Sequence, residues 1–320
     1  MAKRDPRQLY PREDDIPLAK ADLFPRMASP LSDEYLQSAI EKAFERSKLT
    51  KNGNLRKNPD SPKALVKQCM KHLKERADPV LGTSFYGQLN SIDIFDMDGI
   101  PHEMQRLRMQ IGIFYQFLLI ELMRASIKYN QDNGHPNYII QASDGTREGD
   151  ITVDIISPTF AKGIRLYMSV KKSSDTVGGQ DVGGVIKRLE KLAKEEKNLT
   201  SPYLCVIAVA TPSKGKVLSY EKSRSIRYNQ DGHPYSENCE VWTPGFIYPY
   251  ISGREAVDIY AKSLECIESH MPFYSLKYRT ECAELFKKEF IKLGIANADG
   301  TVNRDKFFEF IVSQSENLRE

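Results

Sequence analysis

The chain has 320 residues, 40% of them hydrophobic and 28% charged, with a net charge of +3; this excludes a disordered or fibrous polymer and suffices for a sizeable core in one or two domains. Five cysteines (Cys69, Cys205, Cys239, Cys266 and Cys282) are widely spaced without a C-x-x-C pair, which suits reduced thiols and argues against a structural zinc site. The first residues carry no apolar stretch, and the longest apolar run, Ile111 to Met123, is interrupted by Gln116 and Glu121, so neither secretion nor a membrane span is expected.

Residues 1 to 32 carry prolines too often for a helix and read as an arm. Ser32-Asp33-Glu34 offers an N-cap with acidic residues in the first turn of a helix to Arg46, with Tyr35, Ile40, Ala43 and Phe44 as its apolar stripe. A basic loop at 49 to 60 leads to Ser61-Pro62, a cap followed by Pro at the first helical position, and a helix to about Glu75. Residues 76 to 100 read as irregular because Pro79, Gly82, Gly87 and Gly99 break the pattern. The longest helix is expected from His102 to Asn130, buried through Ile111, Phe114, Leu118, Leu119 and Leu122, with Glu121 satisfied by an arginine such as Arg124. A short apolar strand at Tyr138 to Ala142 follows. The loops around His135 and His233 share turn residues, and neither histidine has a second ligand at metal-site spacing.

Two alternating arms then form a hairpin, Asp150 to Ile156 and Ile164 to Lys171, with the turn expected near residues 159 to 161. One face is apolar, with Ile151, Val153, Ile155, Leu166, Met168 and Val170. The other carries Asp150, Thr152, Asp154, Arg165, Tyr167, Ser169 and Lys171 and is expected to face a ligand or solvent. This turn sets Asp150 opposite Ser169 or Lys171, and Asp154 opposite Tyr167 or Arg165. A glycine-containing connection leads to a helix from Asp181 to Lys197, its Gly178, Gly179, Gly183 and Gly184 allowing close approach of a ligand or another chain. Pro202 to Ala210 is a continuous apolar run, hence a strand buried on both faces.

Gly149-Asp150, followed by Ser169-Val170-Lys171 on the next strand, resembles the motif of the PD-(D/E)xK nuclease superfamily, particularly type II restriction endonucleases. Hairpin, helix and buried strand follow in the order of that family's core. The resemblance implies an α/β (α+β) fold: a restriction-endonuclease-like core with a central mixed β-sheet flanked by helices, plus helical N- and C-terminal elaborations. The expected divisions are an arm and helical subdomain at 1–95, the catalytic core at 96–275 and a helical segment at 276–320. It further implies an endodeoxyribonuclease that cuts double-stranded DNA at a short, palindromic site, works as a homodimer and resides in a prokaryotic cytoplasm. Catalytic roles fall on Asp150, Ser169 and Lys171, and Mg2+ on Asp150 with Asp181 or Glu190, because Ser169 stands where the family has a second carboxylate. The alternatives are a repair or recombination nuclease of the same fold, or a DNA-binding protein without catalysis.

Charge placement agrees with a phosphate-binding surface. Residues 161 to 227 hold fourteen Lys and Arg against six Asp and Glu. Lys172, Lys214, Lys216, Arg224, Arg227, Asn229 and Gln230 are the candidate DNA contacts, most of them in the long connection from Ser213 to Cys239. Beyond it, Glu240 to Ile251 reads as an edge strand or wall because prolines interrupt it. Three helices follow, at Gly253 to Glu268, Tyr278 to Leu293 and Asn303 to Gln314, the last capped by the turn at Asn297 to Val302 rather than by a calcium loop.

Overall fold

The computed structural model of the protein describes residues 26–48, 61–135, 143–144, 147–148, 151–152, 155–157, 165–171, 182–195, 202–212, 217–227, 233–270 and 276–312. It is a mixed α/β fold, mostly helical, in two compact units: residues 1–47 with 111–267, and 48–110 with 268–320. Each unit is thus assembled from segments distant in sequence, unlike the three consecutive divisions expected. Among the described residues no helix is long and apolar enough to cross a membrane.

The first unit holds a mixed sheet. Its strands are β1 (Ser143–Asp144), β4 (Ile155–Ser157), β5 (Arg165–Lys171), β6 (Tyr203–Val209), β7 (Arg224–Ile226) and β8 (Cys239–Trp242), in the spatial order β1-β4-β5-β6-β8-β7. Strands β5, β6 and β8 are parallel, while β4 and β7 run antiparallel to their neighbours. The uninterrupted apolar run of β6 places it in the interior, buried from Leu204 to Val209. Helix α6 (Val182–Glu195) connects β5 to β6 and covers one face with Val182, Val185, Ile186 and Leu189, packed on Tyr167, Cys205, Ile207 and Val209.

Helix α1 (Asp33–Ser47) and helix α5 (Ile100–Asn133) follow the expected stripes except at Tyr35 and Ile111, which are only half-buried. Ile40, Ala43 and Phe44 are buried on α1, and Phe114, Leu118, Leu119 and Leu122 on α5. Glu121 is held by Arg124 at 2.7 Å, as expected, and also by Arg46 at 2.6 Å. The segment expected to be an edge strand divides in two: β8 lies inside the sheet, and Thr243-Pro244 starts helix α7 (Pro244–Ser252), with Pro at the first position where no N–H is needed. Helix α8 (Ala256–His270) follows.

The second unit contains α2 (Pro62–Arg76), α3 (Pro79–Tyr86), α4 (Ser91–Ile94), a π-helical turn at Phe95–Gly99, α9 (Leu276–Lys292) and α10 (Arg304–Val312). Residues 79–86 and 91–100 are therefore helical where irregular chain was expected. Asp78 accepts from the amides of Val80 and Leu81, so Asp-Pro is a cap and first-turn signal here, and Gly82 is tolerated inside one short helix. Leu65, Cys69 and Leu73 of α2 share a core with Cys282, Phe286 and Phe290 of α9 and Phe307 of α10. The turn before α10 is as expected: Asn303 accepts from the Lys306 amide, and Asp299 from Thr301.

Candidate active site

The hairpin differs from the expected one in pairing and in register. Ile151–Thr152 (β3) pairs with Arg147–Glu148 (β2), Glu148 opposite Ile151, in a separate two-stranded unit. Gly149-Asp150 are the two residues between those partners, and Gly-Asp is a two-residue turn signal. The strand that does pair with β5 is β4, with Ile155 opposite Met168, Ile156 opposite Tyr167 and Ser157 opposite Leu166. Tyr167, expected to face Asp154, therefore faces Ile156. The residue after Asp154 lies across from the residue before Ser169. Asp150, Asp154, Asp181, Lys172, Lys214, Lys216, Asn229 and Gln230, and the strand expected at Tyr138 to Ala142, fall outside the described residues.

The polar face of β5 is also not an open surface. Tyr167 and Ser169 are buried, because α6 lies across the face that carries Tyr167, Ile207 and Val209. Alternation puts Ser169 and Lys171 on that same side, opposite Ile207 and Val209 of β6. Lys171 ends the strand half-buried. Its carbonyl accepts from the Ala210 amide at 2.8 Å, and the Ala210 carbonyl in turn accepts from Tyr248 Oη at 2.8 Å and Tyr260 Oη at 2.9 Å. Two tyrosines from α7 and α8 thus fix the carboxyl end of β6 beside Lys171, the end at which parallel sheets present ligands. Sequence reading missed this pair, since nothing in the spacing of Tyr248 and Tyr260 relates them to Ala210.

Glu190 lies elsewhere. It accepts from Ser236 Oγ, and its charge adds to the burial that pushes the Cys205 thiol up to about 12. Cys205 precedes Val209, the partner of Lys171, by four residues or ~13 Å of strand. Glu190 is therefore not a metal ligand beside Lys171. Gly183, expected to admit a ligand, instead admits Tyr235: a Cβ there would meet the ring at 2.6 Å.

Arg224 and Arg227 are corrected as base-reading residues. Both are buried, because the segment expected as a long exposed loop contributes β7 to the sheet edge. Arg224 Nη2 donates to Glu240 Oε1 at 3.0 Å and Nε to Oε2, and its guanidinium lies 5.5 Å from the Phe246 ring centre. Among the described residues no group of three or more His, Cys, Asp or Glu could hold a metal ion.

No protein-family model matches the chain, and no curated protein matches it in sequence.

Proposed function

We propose that the protein is a Mg2+-dependent endonuclease of the restriction-endonuclease type, hydrolysing phosphodiester bonds of double-stranded DNA. The observation that carries this reading is the order antiparallel hairpin (β4, β5), helix (α6), parallel strand (β6), with Ser169-Val170-Lys171 closing β5. That order and the place of the lysine at a strand's carboxyl end agree with the motif. Of the proposed metal ligands, Glu190 does not fit, and the described residues contain no complete ligand set. When bound, the ion would supply charge stabilisation at the scissile phosphate. The part assigned to this chain's described residues is that of Lys171, whose ammonium would orient the attacking water, or whose neutral amine would accept its proton. The β4–β5 register favours Asp154 over Asp150 as its acidic companion, through the pairing of Ile155 with Met168. Cutting both strands of a palindromic site calls for a two-fold homodimer.

Ser169 favours a second reading, a DNA-binding protein of this fold without catalysis, because a buried hydroxyl cannot replace a carboxylate electrostatically. Incubating the protein with supercoiled plasmid of known sequence, with Mg2+ or with EDTA, separates the two. Discrete Mg2+-dependent bands are expected; a retarded but intact plasmid would leave the binding protein and overturn the nuclease.

A further inference from the structure

The second unit carries a groove of about 690 Å3 along α2 and α9 that the proposed chemistry does not use. Its apolar wall comes from Val66 and Met70 of α2, from Leu285 of α9 and from Leu293 just beyond it, the last 49% exposed. Lys63, Lys67 and Lys71 follow one another along the groove at four-residue spacing, one line on a helix, and Lys74 continues the rim. The two carboxylates in the lining are each beside a lysine of their own helix, Glu75 at 3.5 Å from Lys71 and Glu289 at 3.7 Å from Lys292. What the groove offers a partner is an aliphatic floor with a positive edge.

We infer that this groove docks an acidic amphipathic helix of a partner protein, its leucine-type anchors on Val66, Met70, Leu285 and Leu293 and its Glu or Asp flank along Lys63, Lys67 and Lys71. The shape is concave, which suits a helix laid between two helices rather than a flat lipid surface. A nucleic-acid backbone gains nothing from an aliphatic floor, and the lining has no aromatic ring on which a base could stack. From Lys63 to Glu75 the wall runs ~18 Å, the length of about twelve helical residues. Charge complementarity chooses the partner's sign, and the apolar floor requires its amphipathicity. This docking is independent of the nuclease reading.

The test uses the full chain and a fluorescein-labelled synthetic helix with leucines at i, i+3, i+4 and i+7 and glutamates flanking them. A control peptide has the same composition with the leucines scattered around the helix. Saturable binding of the first by anisotropy, at least roughly tenfold tighter than the control, is expected. Leu293→Glu, and Lys67→Glu with Lys71→Glu, should each weaken it roughly tenfold; these side chains are exposed, and unchanged thermal melting confirms that the variants fold. Equal binding of both peptides, indifference to Leu293→Glu, or displacement by a short DNA duplex with the same lysine dependence would overturn the inference, the last in favour of a nucleic-acid surface.

Discussion

Arg224 and Glu240 form a buried ion pair across the outer two strands of the sheet, and Trp242 Nε1 donates to the same carboxylate at 2.7 Å. Every strong acceptor of Glu240 is thereby occupied inside the protein. Arg224→Ala should cost about 3 to 5 kcal/mol, because it leaves a buried carboxylate without its counter-charge. Urea unfolding measures this. Replacing both partners, Arg224→Met with Glu240→Leu, should recover most of the loss. A variant of unchanged stability would place Arg224 at the surface.

Lys171→Ala should abolish plasmid cleavage while leaving DNA binding within a fewfold of wild type, since one ammonium is a small part of a backbone-binding surface. The residue is half-buried at a strand end, so its removal leaves the core intact. Cleavage above a few per cent of wild type would remove the assignment. Asp154→Asn and Asp150→Asn divide the acidic role: the register of β4 and β5 predicts the larger loss from Asp154.

Glu190→Gln should leave the magnesium titration of cleavage unchanged, because the side chain serves Ser236 and lies near Cys205, away from Lys171. Its cost should be in stability, about 1 kcal/mol or less, since the amide still accepts from Ser236. A magnesium midpoint raised severalfold would return Glu190 to the site.

Tyr248→Phe and Tyr260→Phe should each cost about 1 kcal/mol, while the double variant should cost more than their sum, because either hydroxyl alone still satisfies the Ala210 carbonyl. Additive losses would mean that the two bonds act separately.

Burial pushes the Cys205 thiol up to about 12, and Cys239, opposite it on β8, is raised as well. In the unfolded chain these thiols lose their protons near pH 9, so above that the unfolded state binds fewer protons than the native one. For Cys205 the contribution to stability is thus present in full below about pH 9 and lost progressively from there to about pH 12, and Cys239 acts in the same direction. The denaturation midpoint should fall over that range in the wild type, and less steeply in Cys205→Ala with Cys239→Ala. Equal slopes would show that other groups dominate.

Local chemistry that depends on neighbours in sequence was legible from the residues alone. Ser61-Pro62 starts α2, whose N-cap hydroxyl accepts from the Ala64 amide, and the apolar run at 203–209 becomes a buried interior strand. The strand β5 is where it was expected, and so is the pairing of Glu121 with Arg124 one helical turn away. These follow from helical and strand periodicity, and a single stretch of chain contains all the terms.

Which face of β5 is covered was a tertiary matter. Alternation shows two different faces, but only the crossing of α6 buries Tyr167 and Ser169, whose polar atoms had suggested an open surface. The partner strand was decided in the same way, because Ile151–Thr152 pair with Arg147–Glu148 and it is Ile155–Ser157 that pair with β5. Arg224 looks identical in sequence whether it reads a base or neutralises Glu240, since sixteen residues separate the two and only the β7–β8 pairing joins them. Charge in the sequence states what a side chain can bind; burial, which is set by distant segments, decides whether its partner is the protein itself.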